Sequence, residues 1–289
     1  MNPYIQSLRL RTLPLSVSGI ILGTGMAGRG SSWVVFVLAI LTTLSLQILS
    51  NLSNELGDVQ KGTDADQKGR AAYGLQAGTI TIAQMKRMIG LFIGCCVVFG
   101  VALVYAAFWT GTPITNYQSP ITNTVLFLLL GLLAIIGAMT YTLGKHSYGY
   151  IGLGDLGVFL FFGLLSTLGA YYLQTQRLTA EVVWSGAAIG LPCVGVLNLN
   201  NIRDMVNDRK HDKRTFASFL GPIGARVYHT ALLLGCLVVF AAYGHLWTLC
   251  ILPVWAWHIG YVWSHTEKLD KQMPVLMFTT LIVTFLALV

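Results

Sequence analysis

Long apolar runs alternate with short polar segments along this chain, and the alternation sets its architecture. The runs fall at roughly 12–28, 33–55, 87–109, 122–143, 150–173, 182–203, 226–243, 246–264 and 273–289. Each approaches the ~20 apolar residues that a helix needs to cross a hydrocarbon core. The pattern predicts an all-α, polytopic bundle of nine transmembrane helices in one membrane-embedded domain, 1–289. The least distinct division is at Tyr243-Gly244-His245, inside the run 226–264. The first run opens after Arg9 and Arg11 with no small-residue cleavage site, so it reads as a spanning helix and not a leader.

Composition agrees with the pattern. The 289 residues are 55% hydrophobic and only 10% charged, where soluble domains carry roughly 25% charge. Cys95, Cys96, Cys193, Cys236 and Cys250 all lie in apolar stretches and lack metal-ligand spacing, which argues for buried thiols and against a disulfide framework. The six histidines show no paired metal-binding spacing either.

The net charge of +7 would suggest nucleic acid in a soluble protein. Here its placement points elsewhere. All the Lys and Arg residues except Arg29 and Arg177 fall on one set of alternate segments: the N-terminus, 56–86, 144–149, 204–225 and 265–272, with the adjoining helix ends. Basic residues gather on the cytoplasmic side of membrane proteins, so the bias predicts an N-in, C-out chain. No basic domain stands outside the bilayer to bind nucleic acid.

Acidic residues change the picture more. Most cluster in two segments, Glu55, Asp58, Asp64 and Asp66, then Asp204, Asp208 and Asp212, each continuing the same end of a helix, the second and the sixth. Both open with an N-x-x-x-D pattern, Asn54–Asp58 and Asn200–Asp204, which hints at two related halves, about 1–145 and 146–289, with a site at their junction. Asn200, Asp204, Asp208 and Asp212 recur every four residues and form one stripe on a helix. Asn51, Asn54, Glu55 and Asp58 likewise share a face, and Gly57 and Gly62 are expected to turn the backbone so that Asp64 returns to the same space. Stacked carboxylates repel unless cations sit between them, and Mg²⁺ prefers oxygen ligands shared with phosphates. The two stripes therefore predict a diphosphate held through Mg²⁺, with Lys61, Arg70, Lys145, Arg209 and Arg214 available to phosphate oxygens. A cation pathway is the competing reading, though the acids cluster at one face and not at mid-bilayer.

A third polar segment runs from Tyr141 through Lys145 and Tyr148 to Gly152-Leu153-Gly154-Asp155. Helical spacing would present Tyr141 and Lys145 to one ligand. Asp155 follows two glycines and is either a helix cap or a substrate contact.

With these motifs the chain resembles the UbiA superfamily of intramembrane prenyltransferases, over nearly its whole length. The Y-x-x-x-K pattern and the paired aspartate motifs carry the resemblance. Arg9 to Pro14 (R-x-x-T-L-P), the Asn54 to Asp64 spacing, Y-G-Y-I-G-L-G-D and N-N-I-R-D resemble its 1,4-dihydroxy-2-naphthoate branch. The resemblance implies that Asn54, Asp58, Asp204 and Asp208 hold Mg²⁺ and diphosphate, with Asp64 and Asp212 in support. Tyr141 and Lys145 would lie near the reacting carbon, with Arg9 and Asp155 among the substrate contacts. Two positions depart from the family pattern. Glu55 stands where aspartate is commoner, and Tyr73 precedes Gly74-Leu75-Gln76 where an arginine is expected, leaving Arg70 as the nearest substitute.

The implied reaction moves a polyprenyl group from its diphosphate to an aromatic acceptor at the inner face of a bacterial cytoplasmic membrane. Dihydroxynaphthoate would give demethylmenaquinone with loss of CO₂. Hydroxybenzoate and homogentisate are the alternative acceptors.

Overall fold

The computed structural model describes residues 2–63, 73–110, 119–265 and 269–289. Asp64, Asp66, Lys68, Arg70 and Lys268 lie outside the described residues. Among the described residues every regular element is helical: α1 Pro3–Leu8, α2 Leu13–Ala27, α3 Trp33–Lys61, α4 Ile82–Trp109, α5 Pro120–Thr140, α6 Gly154–Val158, α7 Ser166–Thr175, α8 Ala180–Lys210, α9 Phe216–Ala242, α10 Leu252–Ser264 and α11 Gln272–Leu286. A π-helical stretch, Phe159–Leu165, joins α6 to α7 without a break. Nine helical segments of the described residues are long and apolar enough to cross a membrane.

Local chemistry starts these helices where the apolar runs begin. Ser32, Thr179 and Thr215 accept the backbone N–H three residues on, satisfying one of the donors left open at a helix start. Thr81 and Gln84 form a reciprocal capping box at α4. Pro120 opens α5, where its missing N–H costs nothing. Tyr243-Gly244-His245 does divide two helices, with Gly244 at φ 90°.

Two differences from the expected boundaries matter. α3 continues to Lys61 and α8 to Lys210, so Glu55 and Asp58, and likewise Asp204 and Asp208, lie within the last turns of helices and not in loops beyond them. Gly62 takes a left-handed φ of 71° and ends α3, as expected, but Gly57 stays helical. A Cβ on Gly57 would come 2.5 Å from Thr142 Oγ1. Gly57 is therefore a contact point for the segment after α5 and makes no turn.

Three apolar clusters hold the bundle. The largest ties α8 to α9, α11 and α2 through residues such as Leu199, Leu233 and Leu276. The second joins α3 and α4 beneath residues 75–80, and the third joins α2, α3, α4 and α7. Helices α2 and α7 approach closely at glycines: a Cβ on Gly23 would stand 2.1 Å from the Thr167 carbonyl oxygen. Leu91, Val98, Leu129, Leu133 and Val238 are exposed, as lipid-facing side chains are in a bilayer.

Candidate active site

One cavity of about 380 Å³ runs through the bundle, and its lining contains Asn54 and Asp58 of α3 together with Asn200, Asp204 and Asp208 of α8. Along α3 the lining extends from Asp58 back to Ala39, an axial depth of roughly 28 Å at 1.5 Å per residue. The acidic end thus opens into a long apolar chamber walled by Leu103, Phe127, Leu130, Phe161, Phe162 and Leu173. Gly100, Gly131 and Gly169, from three different helices, also line it, and a Cβ on Gly131 would meet nothing within 4 Å.

The α3 stripe divides its labour. Asn54 accepts a hydrogen bond from Thr142 Oγ1 at 3.2 Å, which orients its amide at the cavity wall. Asp58 accepts the Tyr150 hydroxyl at 2.9 Å. Asn51 lines the cavity too, but its amide donates to the Leu8 carbonyl and Thr12 Oγ1, anchoring the N-terminal segment. Glu55 points away from the cavity: fully buried, it accepts the Leu75 backbone N–H at 2.7 Å. The four residues therefore do not act as one face, because α3 packs against residues 73–80 on one side and the cavity on another.

On α8 the stripe holds for three of its four members. Asn200, Asp204 and Asp208 line the cavity, whereas Asp212 is exposed outside it. The helix ends at Lys210 and Asp212 turns left-handed at φ 52°, so the four-residue repeat breaks before reaching it. Asp208 is buried and pairs with Lys213 Nζ at 3.2 Å. Asp204 is gripped by Arg203, whose Nε and Nη2 reach its two oxygens at 2.7 and 2.5 Å, while Nη1 of the same guanidinium binds Asp270.

Cations arrange themselves differently from the expectation. Lys145 and Arg214 are exposed and do not line the cavity, and Arg209 donates to the Ser218 carbonyl. The helical spacing assumed for Tyr141 and Lys145 fails because α5 stops at Thr140 and Gly144 takes φ 88°. Lys61 donates to Ser147 Oγ and lies 3.7 Å from the Tyr150 ring centroid. Arg9 lines the cavity in a left-handed conformation, its guanidinium 4.1 Å from the Tyr73 ring centroid. Tyr73 thus supports an arginine from elsewhere in the chain. Asp155 sits in the first turn of α6, hydrogen-bonds Tyr228 and does not line the cavity; the helix cap position is Leu153.

Lys213, Tyr150 and Arg203 are the site residues that sequence reasoning overlooked. Lys213 sits among Arg209, Lys210 and Arg214 with nothing local to distinguish it. Only the left-handed turn at Asp212 aims it back at Asp208. Burial alone would lower the Lys213 pKa, but Asp208, Asp58 and Asp204 outweigh it and hold the ammonium above its ordinary range. Burial first, then Tyr148 and nearby carboxylates, pushes the Tyr141 hydroxyl up, so this cavity-lining ring stays neutral. Burial likewise takes Tyr148 up to about 12.

The donor set suits a hard cation. Asp208 Oδ2 is buried without a hydrogen-bond partner among the described residues, and Asn54, Asp58 and Asp204 bring further oxygens to the same cavity. Among the described residues no three His, Cys, Asp or Glu side chains gather into a ready-made metal cage.

Comparison with known proteins agrees with this architecture. The chain is 41% identical over 256 residues to the 1,4-dihydroxy-2-naphthoate octaprenyltransferase of Escherichia coli (strain K12), covering 88% of this chain and 79% of that protein. With the Haemophilus influenzae protein of the same name it shares 35% identity over 290 residues, 96% and 90% of the two chains. Its fold matches a UbiA homolog from Aeropyrum pernix K1 with a TM-score of 0.67 at 16% identity, covering 96% of this chain and 98% of that one. A UbiA homolog from Archaeoglobus fulgidus bound to GPP and Mg²⁺ matches at 0.65 and 15% identity, over 99% of both chains. The model of the UbiA prenyltransferase family spans residues 16–288, and this integral membrane chain belongs to that family.

Proposed function

We propose that the protein transfers a polyprenyl group from its diphosphate to 1,4-dihydroxy-2-naphthoate, releasing diphosphate and CO₂ and giving demethylmenaquinone in its quinol form. The observation that carries this reading is the meeting of Asp58 with Asp204 and Asp208 at one end of a deep apolar cavity. A polyprenyl diphosphate has the same division, a charged head and a long hydrocarbon tail. The naphthoate acceptor is supported by the two relatives of that name at 41% and 35% identity.

Asn54, Asp58, Asp204 and Asp208 would hold Mg²⁺, in keeping with the Mg²⁺ in the GPP-bound homolog. Held by these residues, Mg²⁺ would supply positive charge to the leaving diphosphate and so favour breaking of the allylic C–O bond. Lys213 adds a fixed positive charge at the same end. The neutral Tyr141 ring and Phe161 and Phe162 offer π faces to positive charge on the prenyl group. The apolar wall excludes water, which would otherwise capture that carbon as an alcohol. The acceptor ring then forms the new C–C bond and sheds its carboxylate as CO₂. Arg9 is the lining cation that suits an acceptor carboxylate.

The clustering of Lys and Arg on alternate loops supports an N-in, C-out chain in the bacterial inner membrane with the acidic end at the cytoplasmic face. A direct assay decides the function: purified protein in lipid nanodiscs, Mg²⁺, a polyprenyl diphosphate and the naphthoate, with product read by mass spectrometry. Coupled, decarboxylated product that disappears in Asp58→Ala and Asp204→Ala is expected. No product from wild type, or full activity in both variants, sinks the proposal. Hydroxybenzoate and homogentisate run in parallel test the choice of acceptor.

A further inference from the structure

Tyr150 does not line the cavity, yet it hydrogen-bonds Asp58 of one acidic motif and faces Lys213, the partner of Asp208 in the other. Its hydroxyl lies 2.9 Å from Asp58 Oδ1 and 2.6 Å from Thr63 Oγ1. A phenol has one proton, and an ionised carboxylate can only accept, so the chain of bonds runs from Thr63 to Tyr150 to Asp58. The ring meets two ammonium groups, Lys61 at 3.7 Å and Lys213 at 5.6 Å from its centroid. Lys213 pairs with Asp208 on the other motif. The Tyr150 carbonyl accepts the Arg214 backbone N–H at 3.0 Å, tying its loop to the turn that aims Lys213. The preceding Ser147 accepts from Lys61.

We infer that Tyr150 is a positioning residue for both motifs: its hydroxyl orients the Asp58 carboxylate towards the cation, and its ring places the Lys213 and Lys61 ammonium groups for the diphosphate. The inference rests on the proposed binding of a prenyl diphosphate with a divalent ion in this cavity. Two separable functions on one side chain follow. The hydroxyl governs metal affinity through a charge-assisted hydrogen bond. The ring governs diphosphate affinity through cation–π contacts that fix where the positive charges sit.

The test uses the full-length protein in nanodiscs, with Mn²⁺ as a paramagnetic probe and geranyl diphosphate as ligand. Free Mn²⁺ is read by electron paramagnetic resonance, and KM and kcat are measured at saturating metal. Tyr150→Phe is expected to weaken Mn²⁺ binding about tenfold while changing the KM for the diphosphate less than twofold. Tyr150→Leu should show the same metal defect and a KM raised at least fivefold. Lys213→Met should raise KM similarly, and the Tyr150→Leu/Lys213→Met pair should be no worse than the more severe single change. A mere loop staple would lower the melting temperature and leave metal affinity and KM alone. That pattern, an additive double variant, or a Tyr150→Phe protein with wild-type metal affinity overturns the inference. Wild type that binds neither Mn²⁺ nor geranyl diphosphate would instead count against the proposed function.

Discussion

Lys213 reaches back past the end of its own helix to pair with Asp208, Nζ to Oδ1 at 3.2 Å. The pair closes the acidic end of the cavity with a charge the carboxylates themselves hold in place. Because its folded-state pKa lies above the ordinary 10.5, the stabilisation from Lys213 is fully present below that value. It is lost only as pH climbs through the raised pKa. The melting-temperature gap between wild type and Lys213→Met should narrow as pH climbs through and above the ordinary lysine range. A gap that does not narrow there would contradict this.

Glycines of two kinds give opposite expectations. At Gly23 a Cβ would be 2.1 Å from the Thr167 carbonyl oxygen, so Gly23→Ala should force α2 from α7 and cut the yield of folded protein. At Gly131 the added methyl meets open space, and Gly131→Ala should raise stability by up to about 1 kcal/mol through helix propensity. A larger side chain there would fill the cavity. Gly131→Leu should keep activity with short prenyl diphosphates and lose it progressively with longer ones, read by kcat/KM across a chain-length series.

Arg203 divides its guanidinium between Asp204 and Asp270. Removing the Asp270 charge leaves the whole cation to Asp204 and makes that oxygen pair harder for a metal to claim. Asp270→Asn should therefore raise the Mg²⁺ concentration for half-maximal activity several-fold. As Asp270 is half-exposed, its effect on stability should stay below about 1 kcal/mol. An unchanged metal requirement would show that Asp204 is not in competition.

Deep in the bundle, His229 and His258 share a ring-to-ring hydrogen bond of 3.0 Å, and His258 continues to Gln272 at 2.8 Å. Both rings are fully buried. Replacing one leaves the other's nitrogen unpaired, so His258→Phe should cost about 1–3 kcal/mol. The double change His229→Phe/His258→Phe should cost less than the two single costs combined. Denaturation in detergent measures both.

The bundle was legible because spanning length and apolarity are local properties: the division at Gly244 and the two acidic helix ends could be read one segment at a time. Asp58, Asp204 and Asp208 were legible for the same reason, since a four-residue repeat marks a face wherever the helix continues. The errors fall where the helix stops. Asp212 is itself left-handed just past the end of α8, and Lys145 follows the left-handed Gly144; no residue spacing survives a left-handed turn. Spacing puts Glu55 on the face of Asn54 and Asp58, but a helix face tells nothing of which neighbour covers each residue, here the backbone at Leu75. Tyr150 and Lys213 act across segments far apart in the chain, a relation that no single stretch carries.

Finally, the π-helical stretch Phe159–Leu165 gives the fifth span two phases. Phe161 and Phe162 before its end and Ser166, Gly169 and Ala170 beyond it all look onto the same chamber. A wide turn absorbs an extra residue that an ordinary helix would answer with a rotation of roughly 100°. Deleting one residue from this stretch would let the span wind as a regular α-helix with Gly169 still facing the chamber and Thr167 still against Gly23, whereas keeping every residue and forcing α winding would swing both away.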